Sequence, residues 1–189
     1  MSYEKAKSLI RSSISRPTLY KVLMPQQFVG GNTNDYLEYF CVNANIPEVR
    51  VESAVARGHE YIGRQRAQPA LVIWSNPMQI TVIENRDFTV HKDFKKWFDR
   101  LGTGVNQEAQ DIKMNYYDTI KGDIKLIKLE NPDEAGRGGG GNLKEVLTVN
   151  FVNAYPKAIG AVALSSENRN AFTTFSVEFQ YESYTTQYS

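Results

Sequence analysis

Few residues in this chain have the types and spacing that chemistry requires. Its two histidines are His59 and His91. His59 opens the run His59-Glu60-Tyr61-Ile62-Gly63, where a zinc-protease helix needs a second histidine in place of Gly63 so that both imidazoles share one helix face. His59 therefore reads as a polar loop residue, and His91 as a solvent-facing or capping residue at the start of a predicted helix. The single cysteine, Cys41, lies inside an apolar run and reads as a small hydrophobe rather than a nucleophile. Gly136, Gly138 and Gly141 match Gly-x-Gly-x-x-Gly. A dinucleotide site needs a strand before that motif and a helix after it, because the helix N-terminus holds the pyrophosphate. Here a β-like run over 146–151 comes next, and no Lys-Ser/Thr pair completes a phosphate loop. Glu130, Asp133 and Glu134 lie in a loop without core residues, a poor place for a general acid that needs a fixed, desolvated setting. No catalytic residue, cofactor or metal is expected.

One stretch has interaction chemistry instead. Residues 49–68 carry Arg50, Glu52, Arg57, Tyr61, Arg64 and Arg66, with Gly58 and Gly63 between them. The stretch is too polar for a core element and too long for a simple turn, and reads as a protruding hairpin or extended loop. Arginines with a stacking aromatic suit single-stranded nucleic acid. They suit a solvated loop better, and best of the three a loop docking on another subunit, where Arg and Tyr are enriched. The overall balance argues against a dedicated nucleic-acid binder: 22 basic and 21 acidic residues leave a formal charge of +1. With one cysteine no internal disulfide forms, and the context reads as reducing. No run has the length of a signal-peptide core or a membrane span, so a soluble cytoplasmic chain with no membrane partner is expected.

The elements that would position these residues are mostly strands. Aromatics make up 12% of the 189 residues, which favours strands and interfaces over a helical bundle. Residues 3–14 suit a short helix, ended by Pro17. Strands are expected over 19–24, 36–42, 70–74, 78–84 and 145–156, with a turn at Gly30-Gly31-Asn32. Residues 112–128 read as two strands with a turn near Lys121-Gly122-Asp123, and 131–142 as a flexible glycine-rich insertion. One helix is predicted over 91–101, with Phe94, Trp97, Phe98 and Leu101 at i, i+3, i+4, i+7 as its core stripe. A final strand over 172–184 alternates most cleanly, with Phe175, Val177, Phe179 and Tyr181 on one face and Thr174, Ser176, Glu178 and Gln180 on the other. Seven or eight strands with one flanking helix predict a mainly β sandwich or barrel, a single domain over 1–189.

In this order the segments resemble the tail tube protein family of contractile-tailed bacteriophages. Arg16-Pro17-x-Leu19-Tyr20-x-Val22 resembles the family's opening strand, and 41–47, ending in Ile46-Pro47, the strand before its long loop. The helix with Phe94, Trp97 and Phe98 comes after a strand of the Ile80-Val82 type. Asn153-Ala154-Tyr155-Pro156, Ile159-Gly160, Leu164, Asn170 and Phe175-x-Val177-x-Phe179-x-Tyr181 are similar to its ending. The glycine-rich loop and the tail beyond Tyr181 look like additions. The resemblance implies a non-enzymatic structural subunit of a virion tail, assembled in the host cytoplasm. It implies hexameric rings stacked into a tube that conducts DNA, with 49–68 as the contact between rings. Its implied partners are further copies of the chain, a contractile sheath, a baseplate tube initiator and a tail terminator. A tube initiator of the same family and a monomeric β-sandwich binding module or hydrolase are the alternative readings.

Overall fold

The computed structural model describes residues 15, 17–56, 66–73, 76–103, 113–130, 143–164 and 171–189. The predicted N-terminal helix and the glycine-rich loop lie outside them, as do Arg57, Tyr61 and Arg64. Strand β1 (Tyr20–Leu23) leads to helix α1 (Gly31–Phe40) and β2 (Cys41–Ala44). Next come β3 (Arg50–Ala56), β4 (Arg66–Ile73) and β5 (Met78–Ile83), then helix α2 (Thr89–Asp99). Two-residue strands β6 (Gly102–Thr103) and β7 (Lys113–Met114) precede a one-turn helix α3 (Tyr117–Ile120). The chain ends with β8 (Gly122–Glu130), β9 (Lys144–Ile159), β10 (Thr174–Gln180) and β11 (Ser183–Tyr188).

The fold is mainly β, as the residue pattern predicts, but the sheet does not close into a barrel. The strand path β1-β8-β9-β10-β5-β2 is open, and β11 pairs with β9 from the side. The 16-residue β9 serves two sheets. Its first half pairs with β8 and β11, and residues 155–159 pair with β10. The switch occurs at Asn153, whose φ of 56° is left-handed; asparagine tolerates that region because its short amide can bond locally. Asn153 N donates to Asp123 Oδ1 at 3.1 Å, its side-chain amide donates to Glu182 Oε2, and Tyr117 Oη donates to its carbonyl at 2.9 Å. Beside this corner the chain makes a second one. The alternating run over 172–184 is two strands, with Tyr181 and Glu182 stepping from the β10 sheet to the β11 sheet. The tail beyond Tyr181 is thus strand β11, an integral part of the first sheet.

The two sheets enclose one core with the helices on its open side. Phe175, Val177 and Phe179 of β10 are all buried, and so is Tyr181 just past its end, in the same alternation. Phe94 and Trp97 of α2 are fully buried against them, while Phe98 and Leu101 are half-buried. Trp97 stacks on Phe28 at 4.7 Å between centroids, lies 5.6 Å from Phe179, and donates its indole N–H to Ile120 O at 2.9 Å. α2 starts two residues earlier than the apolar stripe indicates, because its amides are capped from upstream. Glu84, itself buried, accepts from His91 N, and Asn85 Oδ1 accepts from Thr89 N.

Two further expectations fail, and three helices stand among the described residues instead of one. Residues 36–40 are helical, and only Cys41–Ala44 of the predicted strand over 36–42 is extended. Thr33, Asn34 and Leu37 are the buried residues of α1, a helical contact stripe rather than an alternating one. Asn34 accepts from Met24 N at 2.8 Å and donates to Met24 O at 3.1 Å, which pins the helix to the end of β1. Gly30 and Gly31 therefore begin a helix rather than close a turn. Likewise, 112–128 is not two long strands. α3 occupies 117–120 because Ile120 alone turns inward and supplies the carbonyl for Trp97.

Candidate assembly surfaces

Strands β3 and β4 form a two-stranded antiparallel ribbon that, among the described residues, joins no other sheet. Arg50 pairs with Ile73, Val51 with Val72 and Glu52 with Leu71. One face of the ribbon therefore holds Arg50, Glu52, Leu71 and Ile73, and the other Val51 and Val72. Val51 is 51% exposed, Val72 49% and Leu71 58%. A two-stranded ribbon bare on both faces is marginal in water by itself. Of the six residues expected in an inter-ring contact, Arg50 and Glu52 are exposed on its first strand, and Arg66 begins its second. The tip between them lies outside the described residues.

A second surface lies where the sheet path stops. β1 and β2 are its two ends, and they meet at one point, where Tyr20 Oη donates to Cys41 O at 2.8 Å. Away from that bond the strands diverge over a cleft of about 720 Å³. Its walls include Val42, Ala44 and Ile46 on the β2 side and Leu126, Leu147 and Val149 on the other. Tyr184 Oη donates to Pro47 O at 3.0 Å and ties the exit from β2 to the opposite sheet. Burial pushes the Cys41 thiol up to about 11 and raises Tyr20 further, with Cys41 beside it as a lesser cause. Both shifts favour the protonated forms at neutral pH. This edge and cleft carry no motif signal. The exposed Val42 and Ile46, in a run that ends at the buried Pro47, are the only hint in the residue order.

The third surface is the outer face of α1. Tyr39 is 78% exposed, and Asp35 and Glu38 are exposed beside it. A strand reading of 36–42 hides this grouping, since only a helix brings 35, 38 and 39 together. The central strands of the second sheet are plainer. Their outward pairs, Thr81 with Ser176 and Gln79 with Glu178, are hydroxyls and amides with one carboxylate. Among the described residues no three His, Cys, Asp or Glu side chains converge to hold a metal ion.

The family described as phage tail tube protein matches residues 12–187, nearly the whole chain. No curated protein matches the sequence. Among solved structures, the fold is similar to a chain of the PVC extracellular contractile injection system sheath/tube terminator in its extended state. That match has a TM-score of 0.57 at 12% identity, covering 92% of this chain and 96% of that one. A chain of the sheath-tube complex of the same system gives 0.57 at 12% identity, covering 100% and 99%. The anti-feeding prophage tube-terminating cap gives 0.54 at 11% identity, covering 93% and 92%. At such identities the likeness is one of fold.

Proposed function

This chain belongs to the phage tail tube protein family, a structural and non-enzymatic one, and from that premise we propose that it assembles as hexameric rings stacked into a hollow tube for DNA delivery. The β3–β4 ribbon is the contact between rings. The observation that carries this reading is the ribbon itself: among the described residues it pairs with no other sheet, is exposed on both faces and carries apolar side chains on each. Such an element gains its stability from a neighbour. Within a ring, the free edge of β2 and the cleft beneath it join to the next copy, and six such heterologous joints close the circle. The hydroxyl and amide face of β5 and β10 suits a lumen, because it offers DNA phosphates no cationic side chain to hold them. A sheath outside the tube and initiator and terminator proteins at its ends are the partners, in a tail put together in the host cytoplasm. A tube initiator at the baseplate is the second reading, since a chain of the anti-feeding prophage baseplate shares the fold at a TM-score of 0.50 and 10% identity.

Replacing residues 49–73 by a short Gly/Ser linker tests the ribbon. The expected product is a folded chain that forms no stacks when pelleted and viewed in negative stain. Long tubes from the shortened chain would remove the ribbon from the contact.

A further inference from the structure

Beside the corner at Asn153 the chain holds an aromatic side chain out into solvent. Tyr116 caps the start of α3 and is 86% exposed, and Met114 on β7 is 71% exposed. The backbone on both sides of Tyr116 is tied down. Asn115 N donates to Leu101 O at 3.0 Å, and its side-chain amide donates to Arg100 O at 2.7 Å. Tyr117 Oη donates to Asn153 O at 2.9 Å, and its ring stands at right angles to Tyr155, 6.0 Å between centroids. Thr119 donates to the Tyr116 carbonyl from N at 3.0 Å and from Oγ1 at 2.7 Å. Tyr116 is thus a fixed knob with little backbone freedom left to lose on binding. The carboxylate of α3, Asp118, already pairs with Lys121 at 2.6 Å, so the knob is apolar and aromatic rather than charged.

The cleft between β1 and β2 is the matching hollow. Its volume of about 720 Å³ lies in the range that admits a body of drug size, about 300–1,000 Å³. Its β2 wall exposes the aliphatic side chains of Val42 and Ile46. The charged residue in its wall, Lys128, pairs with Glu130 at 3.0 Å. The cleft therefore offers apolar surface to an apolar occupant.

Knob and cleft stand at opposite ends of one strand pair. β8 starts at Gly122, just after α3, and reaches the cleft at Leu126 and Lys128. β9 leaves the cleft at Leu147 and Val149 and runs back to Asn153 at the corner. Tyr20, opposite Lys128, bonds Cys41 and so sets Val42 at the cleft end. At about 3.3 Å per residue, the two ends of β8 lie about 20 Å apart. One copy cannot seat its own knob in its own cleft, whereas two copies can join knob to cleft, and such a heterologous joint repeats from copy to copy.

We infer that the Met114–Tyr116 knob of one copy seats in the β1–β2 cleft of the next copy in the ring. This rests on the reading that the β2 edge joins neighbouring copies within a ring, and it names what enters the cleft beneath that edge.

Cross-linking in the full chain tests it. In a Cys41→Ala background, Asp118→Cys puts a thiol beside the knob and Asn43→Cys one in the cleft wall, leaving Met114, Tyr116, Val42 and Ile46 in place. A short bis-maleimide cannot span the two within one copy. In assembled rings it is expected to give a ladder of covalent multimers on a denaturing gel, and neither single-cysteine variant is expected to. Separately, Tyr116→Ala with Met114→Ala is expected to cut the mass in rings and tubes, read by pelleting and micrographs, at least about tenfold. Its thermal melt is expected to match the parent's, because both side chains are exposed. Should it melt lower, the cross-link alone decides. Rings that form without the ladder, or that form from the alanine variant as from the parent, show this joint to be wrong and leave the ring reading standing. If the parent forms no rings, the ring reading falls and the joint with it.

Discussion

At the residue scale, the corner at Asn153 controls how one strand serves two sheets. Its left-handed backbone and three hydrogen bonds leave little freedom of type. Asn153→Val places a β-branched side chain at positive φ and unpairs Glu182, and is expected to cost about 2 kcal/mol. Asn153→Gly keeps the backbone and loses only the amide bond, so it costs less; urea unfolding of the pair measures the difference. Gly160 is tight for another reason. A Cβ there would collide with Ser176 Oγ and lie 3.2 Å from Ser176 O, across a backbone bond of 2.7 Å. Gly160→Ala is therefore expected to destabilise by about 1–3 kcal/mol, with partial recovery in Gly160→Ala/Ser176→Ala because only the hydroxyl clash is removed. Alkaline stability has a defined sign. Cys41 is pushed up to about 11 and Tyr181 to about 12, both first by burial. The unfolded chain releases these protons first, so stability falls as pH rises from about 9 towards 11. Cys41→Ala is expected to flatten the earlier part of that fall in a pH series of thermal melts.

At the element scale, the strength of a pattern in the residues tracks how one-sided its burial is. β10 alternates cleanly because one face meets Phe94 and Trp97 and the other meets solvent, so its core residues are legible from spacing alone. α2 is legible for the same reason. α1 is not, because its short buried stripe is Thr33, Asn34 and Leu37, two of them polar, while its aromatics mimic a strand. What decides its form is a long-range bond, Asn34 to the Met24 backbone, that no local window contains. Asn34→Ala leaves the buried Met24 N–H and C=O unpaired and is expected to cost about 2–4 kcal/mol, seen as a lower denaturation midpoint with unchanged m-value. The candidate surfaces divide likewise. The arginine-rich ribbon announces itself by composition. The β2 edge and its cleft arise only from where the sheet path ends, which is a property of pairing rather than of any segment.

At the scale of the whole molecule, the chain is a sandwich with three unfinished surfaces: an unsupported ribbon, an open strand edge over an apolar cleft, and an acidic helix face. Natural sheets usually cover or charge such edges, so leaving them bare favours joining to like copies. The near-neutral balance of 22 basic and 21 acidic residues adds little repulsion between copies. The purified chain is therefore expected to associate more strongly at low salt than at high, because the exposed carboxylates and arginines are screened. Sedimentation across a salt series reads this. The most direct measurement is electron cryo-microscopy of the assembled full chain. The account predicts a hollow tube of six-membered rings, with the β3–β4 ribbon bridging successive rings. A chain that remains monomeric at high concentration and in the presence of a tube initiator, or a tube whose ribbons point away from the neighbouring ring, contradicts it.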